Sequence, residues 1–446
     1  MPDIQENKII RTLGDGLVLR RSTQADAEKL GEFNQMIHGD DSVPEDSIGQ
    51  WTRDLLEKPH PSFGAGDFTI VEEQASGRII SSLNLISQTW SYDGIPFGVG
   101  RPELVGTLPE FRNRGLVRLQ FDEVHRWSAE RGELVQAITG IPFYYRLFGY
   151  EMCVDLDGHQ SGFEVNLPKL PEGQQEIYRF RPASQADIPF ISAVYEHASK
   201  RSLLSSVRGA AVWEYELSGR SEKNVQRLEW EIIERIENGE AVGYLAHPWF
   251  SWGISCPVQA FEIKAGVSWL EVTQAAARHM WEVGKTVCEH AGKTRQAFNF
   301  ALNGSHPVYE VLHDNLPRIR EPYSWFMRTA DLPAFLKHIT PVLEQRLENS
   351  LITGHSGEIK ISFYKGGLRL VFEYGKLLTA ESWQPDPKNW GDAAFPNLTF
   401  LQILFGHRSL DELKRSYTDS YWSSDMARML VGTLFPKKPS QVLGIA

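Results

Sequence analysis

Between Glu103 and Gly132 the chain places a short apolar strand, a basic turn and an amphipathic helix end to end. The strand, Glu103 to Leu108, carries Leu104, Val105 and Leu108 and stops at Pro109. The turn Phe111-Arg112-Asn113-Arg114-Gly115 sets two arginines beside a glycine. A helix is predicted from Leu116 to Arg131, with Gly132 as its stop. Its Val117, Phe121 and Val124 fall at i, i+4 and i+7, which is one buried stripe. The first-turn N–H groups of such a helix lack intrahelical partners and carry the positive end of its dipole. Gly115 presents no side chain there, while Arg112 and Arg114 can add charge-assisted hydrogen bonds. This is chemistry for gripping a diphosphate. The turn alone would equally suit a solvated basic cap on an ordinary strand–helix unit.

A second stretch follows some thirty residues on: Ile141-Pro-Phe-Tyr-Tyr145-Arg-Leu-Phe-Gly149-Tyr150. A phenol with a pKa near ~10 stays protonated at neutral pH and can supply a proton to a leaving group. Val105-x-Thr107-x-Pro109-x-x-Arg112-x-Arg114-Gly115 resembles the coenzyme A signature of the GCN5-related N-acetyltransferases (GNAT). The tyrosine stretch resembles the same family's second signature, in the matching order and separation. Many relatives carry Gly or Ala where Val117 stands, and Arg-x-Arg-Gly-Leu-Val is closer to the enhanced intracellular survival (Eis) branch. The resemblance covers nearly the whole chain and is most specific over residues 103–150.

What the resemblance implies is direct transfer of an acetyl group from acetyl-CoA to a primary amine, with no metal. Tyr145 matches the family's general acid. The backbone of Val105, Gly106 and Thr107 would hold the pantetheine arm and the acetyl carbonyl. Arg112, Asn113, Arg114, Gly115, Leu116, Val117 and Arg118 would hold the pyrophosphate. The Eis branch uses its C-terminal carboxylate as the base, which falls here on Ala446, in a tail without a terminal aromatic. Asp40, Asp41 and Glu45 stand in the loop where substrates commonly enter this fold, though each also reads as part of a solvated acidic turn. The acceptor would be a small-molecule amine or a lysine side chain, and the assembly a homo-oligomer, commonly a hexamer. Two other readings stay open: an acetyl-CoA sensor without turnover, and a protein binding an apolar ligand.

The elements around these motifs predict an α+β chain of three parts. At 446 residues, with 41% hydrophobic and 23% charged, the chain is globular in composition and long enough for about three domains. The polar stretch 167–176 divides it once, and a proline-bracketed stretch near Asp314–Pro322 divides it again. Leu19-Arg-Arg-Ser-Thr-Gln-Ala-Asp26 is echoed by Phe180-Arg-Pro-Ala-Ser-Gln-Ala-Asp187, and Pro142-Phe-Tyr144 by Pro307-Val-Tyr309, which suggests a duplicated domain. Between Ala260 and Ala297 the second copy has no Arg-x-x-Gly turn. The expected parts are a GNAT domain over 1–165, a degenerate GNAT-like domain over 176–325, and a sterol-carrier-like domain over 326–446. In the last, a helix is predicted from Asp331 to about Asn349 and a hairpin around Gly366-Gly367.

A net charge of −11 argues against a nucleic-acid partner. Cys153, Cys256 and Cys288 show neither disulfide nor zinc spacing, and His279, His290 and His306 show no ligand spacing. No run approaches the ~18 apolar residues of a membrane span, and no apolar leader opens the chain. A cytoplasmic location is predicted.

Overall fold

The computed structural model describes residues 9–156 and 158–446. The fold is mixed α+β. Its first sheet runs in the order Ile9–Thr12, Leu17–Arg21, Phe68–Glu73, Arg78–Tyr92, Ile95–Thr107, Val135–Ile138, Tyr323–Thr329 and Glu151–Leu156. Strand alternation sends neighbouring residues to opposite faces. Ile80 and Ile86 pack with Leu30 and Phe33 under the helices Ala27–His38 and Ser47–Glu57. Leu83 and Leu85 pack with Phe121 and Val124 of the helix Leu116–Glu130 on the other side. That helix ends at Arg131 and Gly132, whose φ of +72° suits a residue without a Cβ.

The second half repeats the opening of the first. Strand Leu17–Arg21 and helix Ala27–His38 correspond to strand Tyr178–Pro182 and helix Ile188–Ser199. The correspondence extends to single bonds. Arg20 grips Asp26 at 2.8 and 2.9 Å, and Arg181 grips Asp187 at 2.7 and 2.8 Å. In each copy the N–H of the capping residue, Thr23 or Ser184, donates to that aspartate at 2.8 Å.

The two halves exchange strands. Tyr323–Thr329 lies antiparallel between Val135–Ile138 and Glu151–Leu156 in the first sheet. Reciprocally, His159–Phe163 lies between Ala297–Phe300 and Arg318–Arg320 in a sheet of the second half. The stretch beginning at Phe326, expected to open the third part, therefore completes the first sheet. Sequence order could not show this, because strand pairing is a long-range choice.

The third part carries the predicted hairpin, Gly357–Ser362 with Gly367–Glu373, extended by Lys376–Trp383. The single helix expected over 331–349 is two, Leu332–His338 and Thr340–Glu348, broken at Ile339. Pro341 explains the break: inside one continuous helix it would lose a hydrogen bond and crowd the carbonyl four residues earlier. Phe335 meets Tyr92 and Phe97 edge-on at 5.8 and 5.3 Å, so this part shares a core with the first sheet. Among the described residues no helix is long and apolar enough to cross a membrane.

Candidate active site

The strands Ile95–Thr107 and Val135–Ile138 run parallel, paired only at Val99–Val135 and Gly100–Gln136. Beyond that point they separate. Leu104 marks the opening, with a φ of +53° where the register against Arg78–Tyr92 shifts. A bulge of this kind bends its strand and leaves backbone groups unpaired. Val105 is half-buried at the gap, while Gly106 and Thr107 are buried and fixed by Ser81, whose hydroxyl lies 2.7 Å from both the Gly106 carbonyl and the Thr107 hydroxyl. A Cβ on Gly106 would sit 2.9 Å from Ile37 Cγ2, so glycine lets the helix Ala27–His38 close over the bulge.

The predicted turn sits at the end of this opening. Asn113 and Gly115 both have positive φ, +63° and +75°. The first helical bond runs from the Leu119 N–H to the Gly115 carbonyl at 3.1 Å. Among the described residues, no N–H from Asn113 to Arg118 has a hydrogen-bond partner. A Cβ built on Gly115 would meet nothing within 4 Å, so the turn faces open space. Arg112 is tethered by Nε to the Thr107 carbonyl at 3.3 Å, Arg114 pairs with Asp15, and Arg118 lies over the Phe148 ring at 5.0 Å. Leu116 is buried and Val117 half-buried, anchoring the turn from beneath. These features fit an anionic diphosphate.

Tyr145 lies in the short helix Tyr144–Phe148, entered through Phe143 at φ +68°. Its ring is 3% exposed and packs edge-on against Phe326 at 5.4 Å and Phe121 at 6.0 Å. Burial, reinforced by the Glu103 carboxylate, pushes its phenol well above the ordinary value. The hydroxyl has no hydrogen-bond partner among the described residues. Tyr150, behind it, is occupied: its hydroxyl lies 2.7 Å from His125 Nε2, and burial brings that imidazole down to about 3. Tyr144 is only half-buried and faces Tyr145 at 5.5 Å.

The end of the chain enters the same region. Ile445 O accepts from Gln88 Nε2 at 2.7 Å and from Arg101 Nη1 at 3.1 Å. Ala446 is 1% exposed and packs in the apolar cluster that holds Leu104 and Phe33. Its oxygen accepts from Arg220 Nη2 at 2.8 Å and Nε at 3.1 Å. Glu103, two strand positions from Arg101, pairs with it at 2.7 Å. Sequence reading missed Arg101, Glu103 and Arg220: Arg101 and Arg220 meet the end of the chain from 344 and 226 positions away, and Glu103 joins only through Arg101. Asp40, Asp41 and Glu45 are exposed, and Asp40 folds back on the Ser42 N–H at 2.8 Å. They form a solvated turn.

A cavity of about 530 Å³ lies between the halves, bounded by Arg101, Thr139 and Trp325 on one side and by Tyr244, Phe250 and Trp252 on the other. Phe250 is buried and Trp252 is 40% exposed, and both line this space.

Separated strands, a row of unpaired amides and a buried phenol thus stand together in the first sheet and the helices beside it. Residues 20–153 match the family model described as acetyltransferase (GNAT) domain. Residues 20–153 thus form a GNAT domain, and the protein is an acyltransferase. Solved structures similar over nearly the full length include a protein of unknown function from Enterococcus faecalis (14% identity, 96% of this chain and 100% of that one, TM-score 0.66). Similar also are a GCN5-related N-acetyltransferase from Kribbella flavida (18%, 96% and 98%, TM-score 0.63) and Eis1 from Mycobacterium abscessus (15%, 95% and 98%, TM-score 0.59). At these identities the likeness is one of fold. No curated protein matches the chain by sequence.

Proposed function

We propose that the protein moves an acetyl group from acetyl-CoA to a primary amine by direct attack. The observation that carries this reading is the row of unpaired N–H groups from Asn113 to Arg118, facing open space beside a strand gap. The pyrophosphate lies on those amides with Arg112, Arg114 and Arg118 around it, and the pantetheine arm runs along Val105, Gly106 and Thr107. The backbone of the same segment polarises the acetyl carbonyl. The acceptor enters through the cavity between the halves, where Arg101 pairs with Glu103, Glu216 with Arg220, and Glu262 with Arg201.

The amine nitrogen attacks the carbonyl carbon, the C–S bond breaks, and one amine proton passes to the Ala446 carboxylate. Tyr145 donates its proton to the departing sulfur. A phenol with a raised pKa is fully protonated at neutral pH. Tyr145 hydrogen-bonds the sulfur until the C–S bond opens and then yields its proton; the phenolate regains one, and Ala446 sheds the amine proton, through solvent as the products leave. The aromatic walls around Tyr145 exclude water that would hydrolyse the thioester.

The test is incubation with acetyl-CoA and a panel of primary amines, following free thiol, beside calorimetric titration with coenzyme A. Amine-dependent thiol release supports transfer. Coenzyme A binding without release on any amine would overturn catalysis, and absence of binding would overturn the cradle itself.

A further inference from the structure

The second half lacks the arginine–glycine turn, yet it holds a buried charge cluster aimed at the first half's site. Arg208, Glu216 and Arg220 have side chains only 1%, 4% and 3% exposed. Both arginines converge on one carboxylate: Arg220 Nη1 lies 2.6 Å and Arg208 Nη2 2.7 Å from Glu216. Two cations against one anion leave a buried positive charge, which costs several kcal/mol unless another anion meets it. The backbone oxygen of Ala446 stands within reach, accepting from Arg220 at 2.8 and 3.1 Å. The segment before it is gripped by the same half: Leu443 O accepts from Ser206 Oγ at 2.8 Å and from Arg208 Nη1 at 2.5 Å.

We infer that the degenerate half serves as an arginine clamp, with Arg220 the positioning residue that fixes the Ala446 carboxylate for the reaction in the first half. This rests on the proposal that Ala446 is the base. Arg220 itself lines the cavity proposed for the acceptor. It acts through the carboxylate, holding it ionised and in one place. The cluster is self-consistent: burial alone would push Glu216 up, but Arg220 and Arg208 hold it down to about 2. The other groups near the clamp are already occupied or neutral. Asp54 accepts from Ser221 N–H at 2.7 Å and Asn224 at 2.8 Å, His60 is brought by burial to about 3, Tyr215 lies under Arg220 at 4.8 Å, and Arg101 pairs with Glu103.

The experiment compares the full chain with Arg220→Met, Arg220→Lys, deletion of Ala446, and the deletion combined with Arg220→Met. Arg220→Met is expected to lower kcat on the order of 10²-fold, the effect of a misplaced reacting group. The KM for acetyl-CoA should not move, and the acid limb of kcat/KM should shift to higher pH, because the carboxylate has lost its cation. Arg220→Lys should recover part of the rate. The double variant should be no slower than the deletion alone, and its Tm should exceed that of the deletion, which strands the clamp's extra charge. Independent, multiplying losses, an unmoved acid limb, or a double variant melting no higher than the deletion would overturn the clamp. Full activity after deletion of Ala446 would instead overturn the base, whatever Arg220 does.

Discussion

The ring of Phe326 stands edge-on to that of Tyr145 with centroids 5.4 Å apart, although the two residues belong to opposite ends of the strand exchange. The strand delivering Phe326 follows the entire second half, so the phenol of the first half is held in place by a segment synthesised long after it.

Phe326→Ala should therefore act on stability and turnover together. Loss of a fully buried ring costs about 3–5 kcal/mol, read as a drop in the unfolding midpoint. A cavity beside Tyr145 frees its ring to tilt, so kcat should fall while acetyl-CoA affinity holds. Unchanged turnover in the folded variant would show that Tyr145 is positioned without Phe326.

Tyr145→Phe removes one oxygen and leaves the packing intact. Turnover should drop by ~10²–10⁴ if the phenol supplies the proton, with acetyl-CoA binding and melting temperature little altered. An undiminished rate would take Tyr145 out of that role.

Gly115 has a positive φ and faces open space. Gly115→Ala adds left-handed strain of about 1–2 kcal/mol and puts a methyl group into the diphosphate cradle. Calorimetry should show coenzyme A affinity falling by roughly ten-fold or more, with the amine KM unaffected. Equal affinity would place the diphosphate elsewhere.

Asp26 is a stability switch with a defined sign. Burial would push its carboxyl up, but Arg20 and the Thr23 N–H hold it below the ordinary value. A depressed folded pKa contributes stability that is fully present above the unfolded value near ~4 and is lost as pH falls through the folded one. Asp26→Asn should cost about 2–3 kcal/mol at neutral pH, less than breaking an isolated buried pair because Glu72 still faces Arg20. The difference from the parent should shrink in melts taken toward pH 3. A constant difference would mean the pair is not what titrates.

The amino-acid order alone determined the local pieces: the strand ending at Pro109, the turn Arg112–Gly115, the helix from Leu116, the Tyr145 stretch, and the repeated Arg20–Asp26 and Arg181–Asp187 caps. Each depends on neighbours within a few residues, and periodicity, glycine placement and capping chemistry are legible at that range. The exchange of Tyr323–Thr329 for His159–Phe163, the gap beyond Gly100, and the meeting of Arg220 with Ala446 were decided only by tertiary structure. Strands of similar composition compete for the same edge, and a buried arginine finds its anion wherever the folded chain brings one. Neither choice leaves a mark in local sequence, because its free energy comes from closing long loops around a shared core.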